Sequence, residues 1–363
     1  MAQAVIPRQP LALAPEIYYT YPMQSLRRHL PLLASFILGA LIFGFIGWYL
    51  PSPSEGKKFT GGVLFQANDP YQFIDPLLAC DIGTQNTFTD LDPLHQSVEK
   101  VLQTHLQNGD ASSVSVYFRA LHSAHWFDSN PDTTYAPASL LKTFVMMAYF
   151  EEARENQTAN VLGRKMVFHA SGTSTKDETG MQVPHLVDGQ SYSAQDLIDQ
   201  MIIYSDNDAL NTLVQNGDDK MIQLSNQIFS DLRIASPLTP GAQLADFMTV
   251  DQYSMVFRVL YSSTYLGRKY SDQALSLLSK AAYKNGIVAG VPNGTVVAHK
   301  YGYSVGQSTE HTTPLELHDC GVVYYPGNPY LLCVMTKGTT LDGLQSTIRD
   351  ISSVTWAGMG KLK

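Results

Sequence analysis

The 363-residue chain has little of what several functional classes require. Cysteine is scarce, with only Cys80, Cys320 and Cys333, too few for a small disulfide-built scaffold. No Cys/His spacing resembles a zinc site and no His-Glu-x-x-His occurs, so no metal centre is expected. Basic residues are outnumbered, 24 Lys and Arg against 32 Asp and Glu, and no long basic run offsets the net charge of −8. Nucleic acid is therefore not an expected partner, because binding its phosphates needs clustered Lys and Arg. Charged residues make up only 15% of the chain, while 44% is hydrophobic, a balance that suits a globular protein with a real core rather than a disordered one. There is neither an internal repeat nor a low-complexity tract.

One long hydrophobic run is present. Leu30 to Leu50 carries no formal charge and is rich in Leu, Ile, Phe, Ala and Gly, and about 20 such residues cross a bilayer. Trp48 and Tyr49 stand at its end, where amphipathic rings favour the interface. Arg27 and Arg28 lie closest to the span, which predicts a cytoplasmic N-terminus and an extracytoplasmic body. A cleaved signal peptide fits less well, since the run is long, starts late and lacks a small-x-small site before Pro51. The expected organisation is a cytoplasmic tail over 1–29, a single transmembrane anchor over 30–50, a linker over 51–70 and a folded domain over 71–363.

Within the folded part, Asp92-Pro93 reads as a helix start, Leu94, Val98, Val101, Leu102 and Leu106 as one apolar stripe, and Gly109 as the stop. Strand-like runs follow at Val114–Ala120 and His125–Phe127. Pro137 then opens a helix that is apolar on nearly every side through Phe150, the pattern of a central buried helix. The middle, about 150 to 290, is mostly helical by pattern, with a capping box at Ser193 to Asp196. Strand-like runs return at Val296–Tyr301, Gly321–Tyr325 and Leu331–Thr336, before a final amphipathic helix with Leu344, Ile348, Ile351 and Val354. Strands at both ends with helices between them predict an α+β fold: an antiparallel sheet flanked by helices plus an inserted all-helical subdomain. Cys320 and Cys333 flank the turn-like Pro326-Gly327-Asn328-Pro329, so a cross-strand disulfide, free thiols and competition from Cys80 all remain open.

Three short elements carry the chemistry. In Ser139-Leu140-Leu141-Lys142 a hydroxyl and an amine lie one helical turn apart on one face, so a neutral Lys can take the proton from a Ser attacking a carbonyl. Ser139 also sits near a helix start, whose free N–H groups can hold an oxyanion. Ser-x-x-Lys is a weak pattern, expected roughly once or twice in such a chain. It recurs at Ser54…Lys57, in the polar spacer, and at Ser97…Lys100, on the exposed side of a helix. Ser205-Asp206-Asn207 occurs once, directly after a helix. Lys300-Tyr301-Gly302 closes the run Val296-Val297 and follows His299, itself the one histidine placed beside a chemical motif.

In this order the three elements resemble the Ser-x-x-Lys, Ser-Asp-Asn and Lys-Thr-Gly motifs of class A β-lactamases and penicillin-binding proteins, over roughly residues 75–363. The resemblance implies a β-lactamase/transpeptidase-like fold, an acyl-enzyme mechanism without a cofactor, and a β-lactam or cell-wall-like peptide as substrate. It implies Ser139 as nucleophile, Lys142 as its base, Ser205 as proton relay and Lys300 as the charge beside it. Asn207 would bind the substrate's side-chain amide, Asp206 would be structural, and the backbone N–H groups of Ser139 and Tyr303 would form the oxyanion hole. Tyr301 and Gly302 would line the substrate site.

Two departures stand out. The small Thr hydroxyl of the family has become the phenol of Tyr301, for which Ser304, Ser308 or Thr309 would have to substitute. Class A β-lactamases carry a Glu between the second and third motifs that positions the deacylating water. This chain has no Glu between Glu178 and Glu310, and Asp246 in the matching loop, Ser236 to Asp246, is a poor substitute. Acylation with slow deacylation is the expected behaviour. A catalytically inactive family member serving as a cell-surface binding protein is the alternative. A third reading, an α/β-hydrolase with Gly302-Tyr303-Ser304-Val305-Gly306 as nucleophile elbow, requires a helix after the motif and widely spaced acid and His partners that the sequence lacks.

Overall fold

Proline and glycine bracket the first helix, α1 (Asp92–Asn108), in a computed structural model that describes residues 71–74, 88–170, 179–184, 186–235, 246–306 and 314–362. Pro93 falls one place later than the expected first helical position, and Leu91 makes the cap without a side-chain bond. Gly109, at φ 77°, closes the helix by donating its N–H to the carbonyls of His105 and Leu106. The expected tail, anchor and linker lie outside the described residues. Among the described residues no helix is long and apolar enough to cross a membrane. All described residues belong to one compact unit, Asn68–Lys363.

The sheet is built from β1 (Ser113–Ala120), β2 (Trp126–Ser129), β7 (Val297–Val305), β8 (Leu315–Val323) and β9 (Tyr330–Gly338), in the order β2-β1-β9-β8-β7. Every pairing in it is antiparallel. Side chains alternate between its faces. Leu332 and Val334 of β9 enter one cluster, where α1 and α8 (Leu341–Met359) bury Val98, Leu102, Ile348 and Ile351. Leu331, Cys333 and Met335 enter the other, beneath the helical part of the molecule. Each fully buried Leu or Phe contributes on the order of 1.5–3 kcal/mol, so the two clusters hold the sheet from both sides.

β8 begins six residues before the apolar run that announces it, because Glu316, His318 and Asp319 interrupt the pattern yet continue the ladder. Cys320 and Cys333 face each other across β8 and β9 and form a disulfide. Cys80 lies outside the described residues.

The helical part comprises α2 (Lys142–Glu155), α3 (Ala194–Ile203), α4 (Asn207–Gln215), α5 (Asp219–Asp231), α6 (Val250–Tyr261) and α7 (Gly267–Leu278). The expected capping box is present: Ser193 accepts from the Asp196 N–H, and Asp196 accepts from the Ser193 N–H. Two small ladders escape sequence detection. β3 (Thr134–Tyr135) pairs with β6 (Met248–Thr249), and β4 (Lys165–Val167) pairs with β5 (Ser191–Ser193). The first ladder ties the strand just before Ser139 to the segment just before α6.

Candidate active site

Ser139 rides on a 3₁₀ turn, Ala138–Leu141, that precedes α2 rather than on the regular helix the sequence suggests. Pro137 enters the turn at φ −67°, the value its ring imposes, and its carbonyl accepts the Leu140 N–H at 3.0 Å. Side chains three apart eclipse in a 3₁₀ turn, which brings Lys142 under Ser139. Lys142 Nζ donates to Ser139 Oγ at 2.8 Å. Ala138 adopts φ 48°, a left-handed conformation that costs a non-glycine residue roughly 1–2 kcal/mol and is sustained only by its surroundings.

The second element approaches from the junction of α3 and α4. Ser205 is also left-handed, at φ 57°. Asp206 explains how that conformation is held: its Oδ1 caps α4 by accepting from the N–H groups of Asp208 and Ala209, at 2.8 and 3.0 Å. Its Oδ2 accepts from Gln200 Nε2 at 3.0 Å. Lys142 Nζ donates to the Ser205 carbonyl at 2.6 Å, to Ser205 Oγ at 3.2 Å and to Asn207 Oδ1 at 2.6 Å.

β7 brings the third element. Lys300 Nζ donates to Ser205 Oγ at 2.9 Å and to the Tyr301 carbonyl at 2.9 Å. One hydroxyl therefore bridges two lysines that come from distant parts of the chain, both almost wholly buried at 1% and 0% exposure. Gly302 lets this happen. A Cβ there would stand 2.7 Å from the Pro137 carbonyl oxygen and 3.0 Å from Leu140 Cγ, so only glycine lets β7 pack this closely on the turn that carries Ser139.

Tyr301 departs from the role expected of it. Its ring is 3% exposed and stacks on Tyr283 at 4.1 Å, with Lys300 Nζ 4.3 Å from its centroid on the cation–π side. The phenol thus supports Lys300 instead of presenting a surface to substrate. Tyr303, the residue expected to offer an N–H, is partly exposed on the same strand, opposite Leu317. His299 is fully buried and bonds Asp319 at 2.8 Å, and Asp319 also accepts the Ile287 N–H at 2.8 Å, so the pair locks β7 to β8 and to the segment behind them.

The competing serines fall away from this geometry. Ser97 is exposed on α1 and bonds the Pro93 carbonyl. Ser304 lies inside strand β7, not at a strand-to-helix elbow, which removes the basis of the α/β-hydrolase reading. Ser54, Ser308 and Thr309 lie outside the described residues, as does the loop 236–245. Asp246, at the end of that loop, forms an ion pair with Lys337. Burial alone would lower the pKa of Lys337, but the bond to Asp246 and the charge of Glu316 outweigh it and hold the ammonium above its ordinary value.

Sequence reasoning misses two side chains that reach this region. Glu316 Oε2 accepts the Ala136 N–H at 2.8 Å, and His318 Nε2 donates to the Ala136 carbonyl at 3.0 Å. Their only trace in the sequence is the polar interruption of an otherwise apolar strand. Among the described residues no cluster of His, Cys, Asp and Glu is arranged to hold a metal ion.

Comparison with known proteins relates this fold to solved structures. The chain adopts the fold of the TLA-3 extended-spectrum beta-lactamase, at 19% identity and a TM-score of 0.61, over 75% of this chain and 99% of that one. A class A beta-lactamase from Bacteroides cellulosilyticus aligns at 19% identity and a TM-score of 0.60, over 74% of this chain and 99% of that one. A mutant of PBP-A, solved as an acyl-enzyme complex with penicillin G, aligns at 18% identity and a TM-score of 0.58, over 74% and 97% of the two chains. No curated protein matches by sequence. The model of the beta-lactamase enzyme family matches residues 94–359. The chain belongs to the beta-lactamase enzyme family.

Proposed function

We propose that the chain is an extracytoplasmic serine hydrolase that is acylated on Ser139 by a β-lactam or by the amide of a cell-wall-like peptide. The observation that carries this reading is the convergence of Lys142 and Lys300 on Ser205 Oγ, with Lys142 also 2.8 Å from Ser139 Oγ. Attack by Ser139 requires Lys142 to act as the neutral amine that takes its proton. Ser139 Oγ attacks the carbonyl carbon while its proton passes to Lys142 along the 2.8 Å line. The backbone N–H groups of Ser139 and Tyr303 receive the developing oxyanion. A serine hydroxyl has two acceptor sites and one donor, and the two lysines fill the acceptors of Ser205. Its O–H is then left to protonate the departing nitrogen as the C–N bond breaks, and the proton is replenished from Lys142. Asn207, whose oxygen holds Lys142, keeps its N–H donors for the substrate's amide carbonyl.

Hydrolysis of the resulting ester needs a base beside water. With no Glu between residues 178 and 310, and with Asp246 engaged by Lys337, deacylation is slow and a β-lactam remains on the enzyme. Residues 30–50 anchor the domain in the membrane with the N-terminus inside. The Cys320–Cys333 disulfide supports this placement, since such bonds persist in oxidising compartments.

Incubation of residues 52–363 with a fluorescent penicillin, followed by mass spectrometry over time, tests the reading. A long-lived adduct on Ser139 that Ser139→Ala abolishes is the expected result. Full labelling of that variant would refute it. A protein inert to penicillin and to a panel of peptide esters would instead be a binding member of the family.

A further inference from the structure

The backbone N–H and carbonyl of Ala136, three residues ahead of Ser139, are gripped by side chains rather than by a neighbouring strand. The Ala136 N–H donates to Glu316 Oε2 at 2.8 Å, and the Ala136 carbonyl accepts from His318 Nε2 at 3.0 Å. Both side chains stand on the same face of β8, two residues apart, and both are secured in turn. His318 Nδ1 accepts the Thr336 N–H at 3.3 Å, which fixes the tautomer that carries its proton on Nε2. Glu316 lies 3.3 Å from His318 Nε2 and 3.6 Å from Lys337 Nζ, and Lys337 is ion-paired with Asp246. Tyr135, whose hydroxyl is shared by Ser113 and Ser115, packs its ring edge-on against His318 at 5.3 Å.

β3 is only two residues long and its ladder to β6 ends at Tyr135, so Ala136 has no strand to satisfy its backbone groups. Immediately afterwards the chain must adopt the left-handed Ala138 and place Ser139 Oγ on Lys142. Resting on the acylation of Ser139 proposed above, we propose that Glu316 and His318 are positioning residues: together they clamp the backbone of Ala136 on both sides of its Cα and so hold the nucleophile turn at attack distance. Through Lys337 the same clamp is linked to Asp246.

Three measurements on the anchor-free protein test this: the acylation rate per labelled site with a fluorescent penicillin, thermal stability, and amide exchange over residues 135–141. Glu316→Ala removes the acceptor, whereas Glu316→Gln keeps a carbonyl oxygen for the Ala136 N–H. Glu316→Ala is expected to acylate about tenfold or more slowly while still labelling to full stoichiometry, because displacement of a reacting group by an ångström costs on the order of 100-fold. Glu316→Gln is expected to return the rate to within about threefold of wild type, a rescue that a loss through poor folding would not show. His318→Leu should also slow acylation, and exchange should quicken over 135–141 in both damaging variants but not in β9. Wild-type acylation rates and unchanged exchange in Glu316→Ala and His318→Leu would overturn the clamp. If the wild type fails to acylate at all, the functional reading falls, and exchange over 135–141 still decides the clamp on its own.

Discussion

Gly302→Ala offers the sharpest test of how the site is assembled. Gly302 sits in ordinary strand backbone, so its requirement is one of space and not of a left-handed conformation. The added methyl would stand 2.7 Å from the Pro137 carbonyl oxygen, 3.0 Å from Leu140 Cγ and 3.2 Å from the Leu140 nitrogen. Ordinary contact begins near about 3.5 Å, so β7 and the nucleophile turn must separate by roughly 0.5–1 Å. Overpacking of this kind costs about 1–3 kcal/mol, which lowers Tm by a few degrees to about 10 °C in a domain of this size. The larger effect falls on chemistry, because the separation pulls Lys300 away from Ser205 and shifts Ser139 against Lys142. Acylation should fall by about 10- to 100-fold, read as the rate of fluorescent-penicillin attachment beside a calorimetric melt. Gly327→Ala is the control. Gly327 lies in the β8–β9 turn at φ 73° with open space within 4 Å of where the new methyl would stand, so the change costs roughly 1 kcal/mol of backbone strain without touching the site. Equal acylation rates for the two variants would refute the close-packing argument.

Asp206→Ala removes the α4 cap and the partner of Gln200, and should cost about 1–2 kcal/mol by chemical denaturation while lowering acylation through the loosened Ser205 and Asn207. A stability loss with unaltered acylation would show that the cap does not position those residues. Reduction of the disulfide, which closes a loop with a sequence separation of 13, should destabilise the domain by about 3 kcal/mol on the chain-entropy account. Melts of matched oxidised and reduced samples decide this, and coincident transitions would contradict it.

The convergence of Ser139, Lys142, Ser205, Asn207 and Lys300 is legible in the sequence because each belongs to a short motif with its own local geometry. Ser139 and Lys142 need only a helical turn, whereas the capping of α4 by Asp206 emerges only in the structure. What lies across the sheet is not legible. The ring of Tyr301 goes to Tyr283 because of the register of β7 against the segment after α7, which no local pattern encodes. Glu316 and His318 read as defects in an apolar strand, since their partner, Ala136, is about 180 residues away. The pairing of Cys320 with Cys333 depends on a register of β8 and β9 that the turn between them permits but does not dictate.

The two-residue ladder between β3 and β6 has a consequence for how this protein can be recombined. It brings Thr134 opposite Thr249 and Tyr135 opposite Met248, so the intervening chain begins and ends at one short ladder. That stretch contains Ser139, Lys142, Ser205 and Asn207, while Lys300, Gly302 and Tyr303 arrive from outside it on β7. Crossovers placed at this ladder would therefore transplant Ser139, Lys142, Ser205 and Asn207 between relatives as one cassette, leaving the recipient to supply Lys300, Gly302, Tyr303, Glu316 and His318.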